Sequence, residues 1–290
     1  VPEVNYIKRL ETAPKVKTQI LALGSPGANA KAVRELAQSL KLEEASVTQA
    51  QDATRFTYTA GQHVVSMFKA SGAVRYQDSS RWQVDDGKAN LKISDAEAEK
   101  RALELVTAHK LASPKEFKLL KVTRLTVGEA SPDTKRGSER VVDVGVAFQR
   151  LVGGVPVDGP GGKLIVYMDH NGELTGFDRI WRPVAKVQAP VRQLLPPKAA
   201  EEDLLRYWAR QTGRIDVVDM RFGYVELGYL ARQAVLQPAY VMPLRIVSPA
   251  KDKEEEIAIG SVHVFAAASN AVGRLMPPPK KIVRQPARAA

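Results

Sequence analysis

The sequence predicts an α+β protein, and three observations carry that expectation. Helical spacing and strict alternation come in separate blocks, a helix followed by antiparallel strands, and that order recurs along the chain. Hydrophobic residues make up 44% of the 290 and charged residues 26%, an ordinary balance for a chain that buries a core. No apolar run approaches the roughly 20 residues of a membrane helix.

The elements follow in order. Pro2, Pro14, Gly24, Pro26 and Gly27 punctuate an N-terminal arm over 1–27, with a short strand near Thr18 to Leu23. Ala32, Val33, Leu36, Ala37 and Leu40 recur at helical spacing, so Asn29 to Leu42 reads as a helix. From Thr54 to Asp78 the period becomes two, with turns at Gly61 and Gly72: a meander of three short strands. Ser94 and Glu97 form a capping box that opens a second helix, and Pro114 stops it. Phe117 to Val127 is strand-like, and Ser131 to Gly137 reads as a polar loop. Val142, Val144, Val146 and Phe148 alternate with polar or small residues. Val155 to Val157 reads as a short edge strand, because Pro156 cannot donate to a ladder. Asn171 and Gly172 turn the next hairpin, on the expectation that both take positive φ. Ala199 to Gln211 is a third helix, and strands are expected at Met220 to Leu227, Tyr240 to Val247 and Ile257 to Ala267. These blocks divide into an arm (1–27), a first α+β unit (28–91), a second (92–190), a third (191–270) and a Pro-rich basic tail (271–290).

Catalytic chemistry is hard to find. There are no cysteines, so thiolate metal sites and cysteine nucleophiles are excluded. His63, His109, His170 and His263 lie far apart in sequence and in no metal-binding spacing, and His109 near a helix end is explained by the helix dipole. No nucleophile elbow is present. The glycine-rich run before Lys163 fails as a phosphate loop: Val157 stands where a glycine is needed, Leu164 where Ser or Thr is needed, and a strand follows. The carboxylate clusters read as a turn (Asp85, Asp86), a first helical turn (Glu201, Glu202, Asp203) and a solvated run (Glu254 to Glu256). No catalytic residue, cofactor or metal is expected.

Partner binding is the better reading. Lys and Arg total 43 against 32 Asp and Glu, a net charge of +11 that favours anionic partners. Trp181 between Arg179 and Arg182 is either a cation–aromatic partner surface or a sheet-end tryptophan covered by arginine stems. Lys280, Lys281, Arg284 and Arg288 form a cationic tail that cannot build a core alone. Together these seven residues are the expected partner-binding set.

One stretch resembles a known family. Phe148 to Val157 carries Gly154, Val155, Pro156 and Val157; Gly159 to Lys163 bends; Asp169 to Leu174 turns before a closing strand; and the Ser94 capping box opens the helix before them. This pattern is similar to the PepSY and thermolysin-propeptide-like group, including extracytoplasmic regulators of the YycH and YycI type. The resemblance implies tandem helix-plus-antiparallel-sheet modules of PepSY-like or cystatin-like form, with extended arms. It also implies an extracytoplasmic location and a non-enzymatic role in binding or restraining another protein, such as a peptidase or sensor. Start at Val1 rather than Met fits removal of a leader. The other function classes are an accessory subunit of an envelope or extracellular assembly docked through its arms, a hydrolase or metal enzyme with a scattered site, and a charge-driven nucleic-acid binder.

Overall fold

Among the described residues strand outweighs helix, 47% to 17%. The structure is a computed structural model that describes residues 2–42, 47–82, 93–131, 134–169, 171–211, 213–248, 257–273 and 275. The elements in chain order begin with β1 (Glu3–Tyr6), β2 (Gln19–Leu23), α1 (Ala30–Ser39), β3 (Val47–Gln51), β4 (Arg55–Ala60), β5 (His63–Phe68) and β6 (Val74–Asp78). Then come α2 (Asp95–Ala108), β7 (Phe117–Ser131), β8 (Thr134–Val152), β9 (Val155–Asp158), β10 (Lys163–Met168), β11 (Leu174–Ile180) and β12 (Val184–Pro190). The remainder are α3 (Pro197–Tyr207), β13 (Arg214–Val217), β14 (Arg221–Val225), β15 (Val235–Leu236), β16 (Pro238–Ser248) and β17 (Ile257–Ala266).

The chain clusters into two compact units, both discontinuous in sequence. The larger comprises Ile20–Ala189 and Tyr224–Leu236; the smaller comprises Val1–Gln19, Pro190–Gly223 and Gln237–Ala290.

The larger unit is built on a long antiparallel sheet in the order β9-β8-β10-β11-β6-β5-β4-β3, with β7 paired to β8. Alternation places Val144, Val146, Phe148, Leu164, Val166, Met168 and Phe177 on one face. There they meet Val33 and Ala37 of α1 and Ala98, Ala102, Leu105 and Val106 of α2 in one apolar core. The Ser94 capping box forms as the sequence demands: Ser94 Oγ accepts from Glu97 N at 3.3 Å, and Glu97 Oε2 accepts from Ser94 N at 2.9 Å. Asn29 caps α1 in the same way, accepting from Ala32 N at 2.9 Å. A small sheet, β12-β2-β15, completes this unit.

In the smaller unit β1 runs parallel to β13, β13 antiparallel to β16, and β16 antiparallel to β17. Ala200 and Leu204 of α3 pack on Ile215, Val217, Tyr240, Met242 and Leu244.

This architecture overturns the expected tandem of PepSY-like, cystatin-like α+β modules. Among the described residues three α-helices serve seventeen strands, so the fold is sheet-dominated. The meander of β4 to β6 does not close a module: β6 pairs β11, with Arg75 opposite Asp178, and the two strand sets share one sheet. Other local expectations are corrected as well. β8 begins at Thr134, so the polar stretch through Gly137 is strand. β9 is no edge, since it pairs β8 on one side and the end of β14 on the other. The β10–β11 turn takes positive φ at Gly172 (72°), while Asn171 does not. Asp169 turns the chain instead, accepting from Asn171 N at 2.9 Å and Glu173 N at 3.0 Å.

Candidate binding face and its buried supports

Among the described residues β7 pairs with β8 alone and is the outermost strand on that side. Over Lys118 to Thr126 nearly every residue is exposed, including Leu119, Leu120 and Leu125. The exposed cations Lys118, Lys121 and Arg124 recur every third residue, Arg124 already holding Asp95 at 2.6 Å and the Ile93 carbonyl at 2.9 Å, and no acidic residue occurs from Phe117 to Gly128. An unpaired strand edge offers backbone N–H and C=O groups to another chain. Register shifts at Leu119/Lys121 and Leu125/Thr126 bend this edge locally.

The face of the sheet opposite α1 and α2 carries a trough of about 490 Å³ that starts at β7 and crosses to β6. Its floor is low because Gly145 and Gly176 have no side chain. A Cβ at Gly176 would stand 2.6 Å from the Tyr76 carbonyl oxygen, and one at Gly145 would stand 2.9 Å from Thr123 Oγ1 and 3.2 Å from the Tyr167 ring. Arg75 closes one wall with two bonds to Asp178, Nε to Oδ1 at 2.6 Å and Nη2 to Oδ2 at 3.3 Å. That bond raises the Arg75 guanidinium above its ordinary value against the opposing effect of burial. Burial, with Asp178 adding to it, pushes the Tyr167 phenol up to about 12. Asp143 lies deeper, accepting from Met168 N at 3.1 Å and Thr175 Oγ1 at 3.0 Å, and burial pushes its carboxyl up to about 6. The trough therefore offers apolar and aromatic walls with its strongest charges already satisfied. That is the make-up of a side-chain pocket.

The arginines expected to reach a partner are used inside the protein. Arg182 is 2% exposed: Nη1 donates to Glu226 Oε1 at 3.2 Å and the Leu227 carbonyl at 2.7 Å, and Nη2 to the Gly228 and Ala231 carbonyls. Glu226, fully buried, also accepts from Arg150 Nη1 at 3.2 Å and Arg182 N at 2.7 Å. Burial raises the Glu226 carboxyl, and the two guanidiniums pull it back. Arg179 is largely buried and donates to the Leu111 carbonyl at 3.0 Å. Trp181 is half-buried, with the Arg150 guanidinium 5.4 Å from its ring centroid. The cation over this tryptophan is Arg150 and not Arg179 or Arg182, and Arg182 is a buried cation held within the protein. Lys280, Lys281, Arg284 and Arg288 lie outside the described residues.

The glycine-rich run before Lys163 also has a structural cause. A Cβ at Gly159 would meet the Glu226 carbonyl oxygen at 2.6 Å, and one at Gly161 would meet that of Leu227 at 2.5 Å. Gly161 N donates to that Glu226 carbonyl at 2.9 Å, so the glycines admit close backbone contact. Of the histidines, His63 Nδ1 lies 3.0 Å from Tyr76 Oη, and buried His263 lies 3.1 Å from Asp203. His109 caps the end of α2, and burial, with Lys41 adding to it, lowers its pKa. His170, Asp85, Asp86 and Glu254 to Glu256 lie outside the described residues. Glu201 to Asp203 sit beyond the first turn of α3, where Glu201 holds Arg9 and Asp203 holds His263. Among the described residues no group of three His, Asp or Glu is placed to hold a metal ion.

No protein-family model matches this chain, and no curated protein matches it. Among solved structures it is similar to an uncharacterised protein from Eubacterium rectale ATCC 33656. The two are 13% identical with a TM-score of 0.57, over 95% of this chain and 90% of that one. That likeness speaks for the fold alone. The PepSY resemblance is set aside: its motifs are turn residues that any hairpin uses, and the sheet they belong to is not a PepSY module. No helix among the described residues is long and apolar enough to cross a membrane.

Proposed function

We propose that the protein is a non-enzymatic binder of another protein, and that it takes an acidic, extended segment of its partner as an added strand on the open edge of β7. One observation carries this reading: the long edge strand β7 exposes Leu119, Leu120 and Leu125 together with Lys118, Lys121 and Arg124, and carries no acidic residue over that stretch. In strand addition the edge backbone supplies affinity and side-chain pockets supply selectivity. The trough on the sheet face begins at Thr123, Arg124 and Leu125 of β7 and runs inward from this edge. Charge selects the partner. A second copy of β7 would set cations against cations, whereas Asp or Glu on the incoming strand would face them favourably. The bulges and lysines also hold off indiscriminate pairing.

The test uses an eight-residue fluorescent peptide alternating Glu and Val, its Lys-and-Val counterpart, and the Glu peptide N-methylated at alternate backbone nitrogens. Anisotropy with the full chain should show binding of the first alone. Reversing Lys118 and Lys121 to Glu should weaken it by about tenfold or more at low salt. Equal binding of the N-methylated peptide would refute strand addition. Indifference to the charge reversal would refute the assigned edge.

A further inference from the structure

The loop that joins α2 to β7 borders a second cavity, of about 480 Å³. Lys110, Glu116, Arg179 and Trp181 line it, with Leu111 and Pro114 as apolar wall. Arg179 differs from the other inward-facing arginines. Arg75 is paired with Asp178, and Arg150 and Arg182 with Glu226. Arg179 has a single backbone acceptor, the Leu111 carbonyl, and among the described residues no carboxylate forms an ion pair with it. The charges it feels are Arg150, of the same sign, and Glu116, of opposite sign and smaller effect. Burial and Arg150 together lower its pKa from the ordinary arginine value. A largely buried guanidinium with no hydrogen-bonded carboxylate is only partly compensated by Glu116, and a bound anion would complete that compensation.

Two neighbours point the same way. Lys110 ends α2 in a left-handed backbone conformation, φ 50°, where glycine would be the low-cost choice. Lys110 lies in the cavity lining and adds a positive charge to it. The Trp181 ring lines the same cavity, and its indole N–H is buried and meets no acceptor among the described residues. Glu116 is held by Ser113 N at 3.2 Å and keeps one negative charge in the lining, which disfavours a dianion more than a monoanion.

We propose that this cavity is a binding site for an organic carboxylate, whose carboxyl group lies on the Arg179 guanidinium near Lys110 and whose apolar body lies against Leu111, Pro114 and the Trp181 ring. A planar guanidinium suits the two oxygens of a carboxylate. The volume falls within the range of small-molecule pockets. This site is independent of strand binding at β7.

The test is titration of the full chain with benzoate, with benzamide as its neutral counterpart and inorganic phosphate as the competing anion. Binding is followed by calorimetry and tryptophan fluorescence. Benzoate should bind saturably and at least about tenfold tighter than benzamide. Arg179→Met should weaken benzoate by about tenfold or more, and Arg179→Lys, which keeps the charge but not the fork, should fall between. Lys110→Ala, a surface change that the fold tolerates, should weaken it by a few-fold. Without ligand, Arg179→Met should melt at or above the wild-type temperature, because no internal ion pair is lost, while Arg182→Met should melt well below it. No saturable benzoate binding, tighter binding of phosphate, or unchanged affinity in Arg179→Met and Lys110→Ala would each overturn the assignment. A melting loss in Arg179→Met equal to that in Arg182→Met would make Arg179 a structural cation and overturn it as well.

Discussion

Replacing Glu226 with Gln keeps the size of the side chain and can keep the bond from Arg182 N, yet it removes the counter-charge shared by two buried guanidiniums. Arg150 and Arg182 each lie 3.2 Å from a Glu226 oxygen, with side chains 10% and 2% exposed. Breaking a buried pair by removing one partner costs about 3–5 kcal/mol, since the charge left behind has neither water nor partner. Arg182 retains the Leu227, Gly228 and Ala231 carbonyls, so the lower end applies, about 3 kcal/mol. For a folded unit of about 150–250 residues, each kcal/mol moves the melting temperature by about 2–4 °C, which gives a fall of about 6–12 °C.

The assay is thermal unfolding followed by circular dichroism, comparing wild type, Glu226→Gln, Arg150→Met and the double variant. If the pair is the cause, Arg150→Met should partly rescue Glu226→Gln, because one stranded cation is removed with the anion. A fall below about 2 °C for Glu226→Gln, or strict additivity in the double variant, would refute the reasoning.

Asp143 should make stability pH-dependent in a definite direction. Its folded pKa of about 6 lies above the ordinary value of an exposed aspartate, so its contribution is fully present below about pH 4 and is lost as pH rises through 6. Asp143→Asn should therefore gain on wild type above pH 6, by about 1–2 kcal/mol once solvent screening is allowed for, with the gain gone at pH 4; melting curves from pH 4 to 8 check this, and a gain that grows toward low pH would contradict it. Gly159→Ala combines φ 97° with a Cβ 2.6 Å from the Glu226 carbonyl oxygen, so a loss of about 2 kcal/mol or more is expected in urea unfolding. A change within about 0.5 kcal/mol would show that the loop can shift without cost.

What could be read from the sequence was local, and what could not was pairing. The helices were legible because their signals are short-range: Asn29 and Ser94 cap, Glu97 reaches back, and apolar residues return at helical spacing. β4 to β6 were legible as a meander because each turn lies between adjacent strands. The partner of β6 was not, since Arg75 and Asp178 meet across 103 positions and nothing in either segment names the other. The parallel pairing of β1 with β13 was hidden for the same reason, which is why Glu3 to Tyr6 read as part of an arm. Once β6 joins β11, separate helix-plus-sheet modules are no longer available to the chain.

The same distinction decides how the candidate site was missed. Phe117 to Val127 already read as a strand, and its cations stood in plain view, but whether a strand is an edge depends on what the rest of the chain pairs with it. Val155 to Val157 shows the converse: proline made it look like an edge, yet its place between β8 and β14 makes it interior. Arg179, Trp181 and Arg182 stood out as one cluster, and the fold separates them. Glu226, 44 positions beyond Arg182, turns that arginine into a buried strut, while Arg179 has no hydrogen-bonded carboxylate among the described residues. Spacing brought the two cations to notice together; only long-range pairing decides that one is satisfied within the protein and the other is available to a ligand.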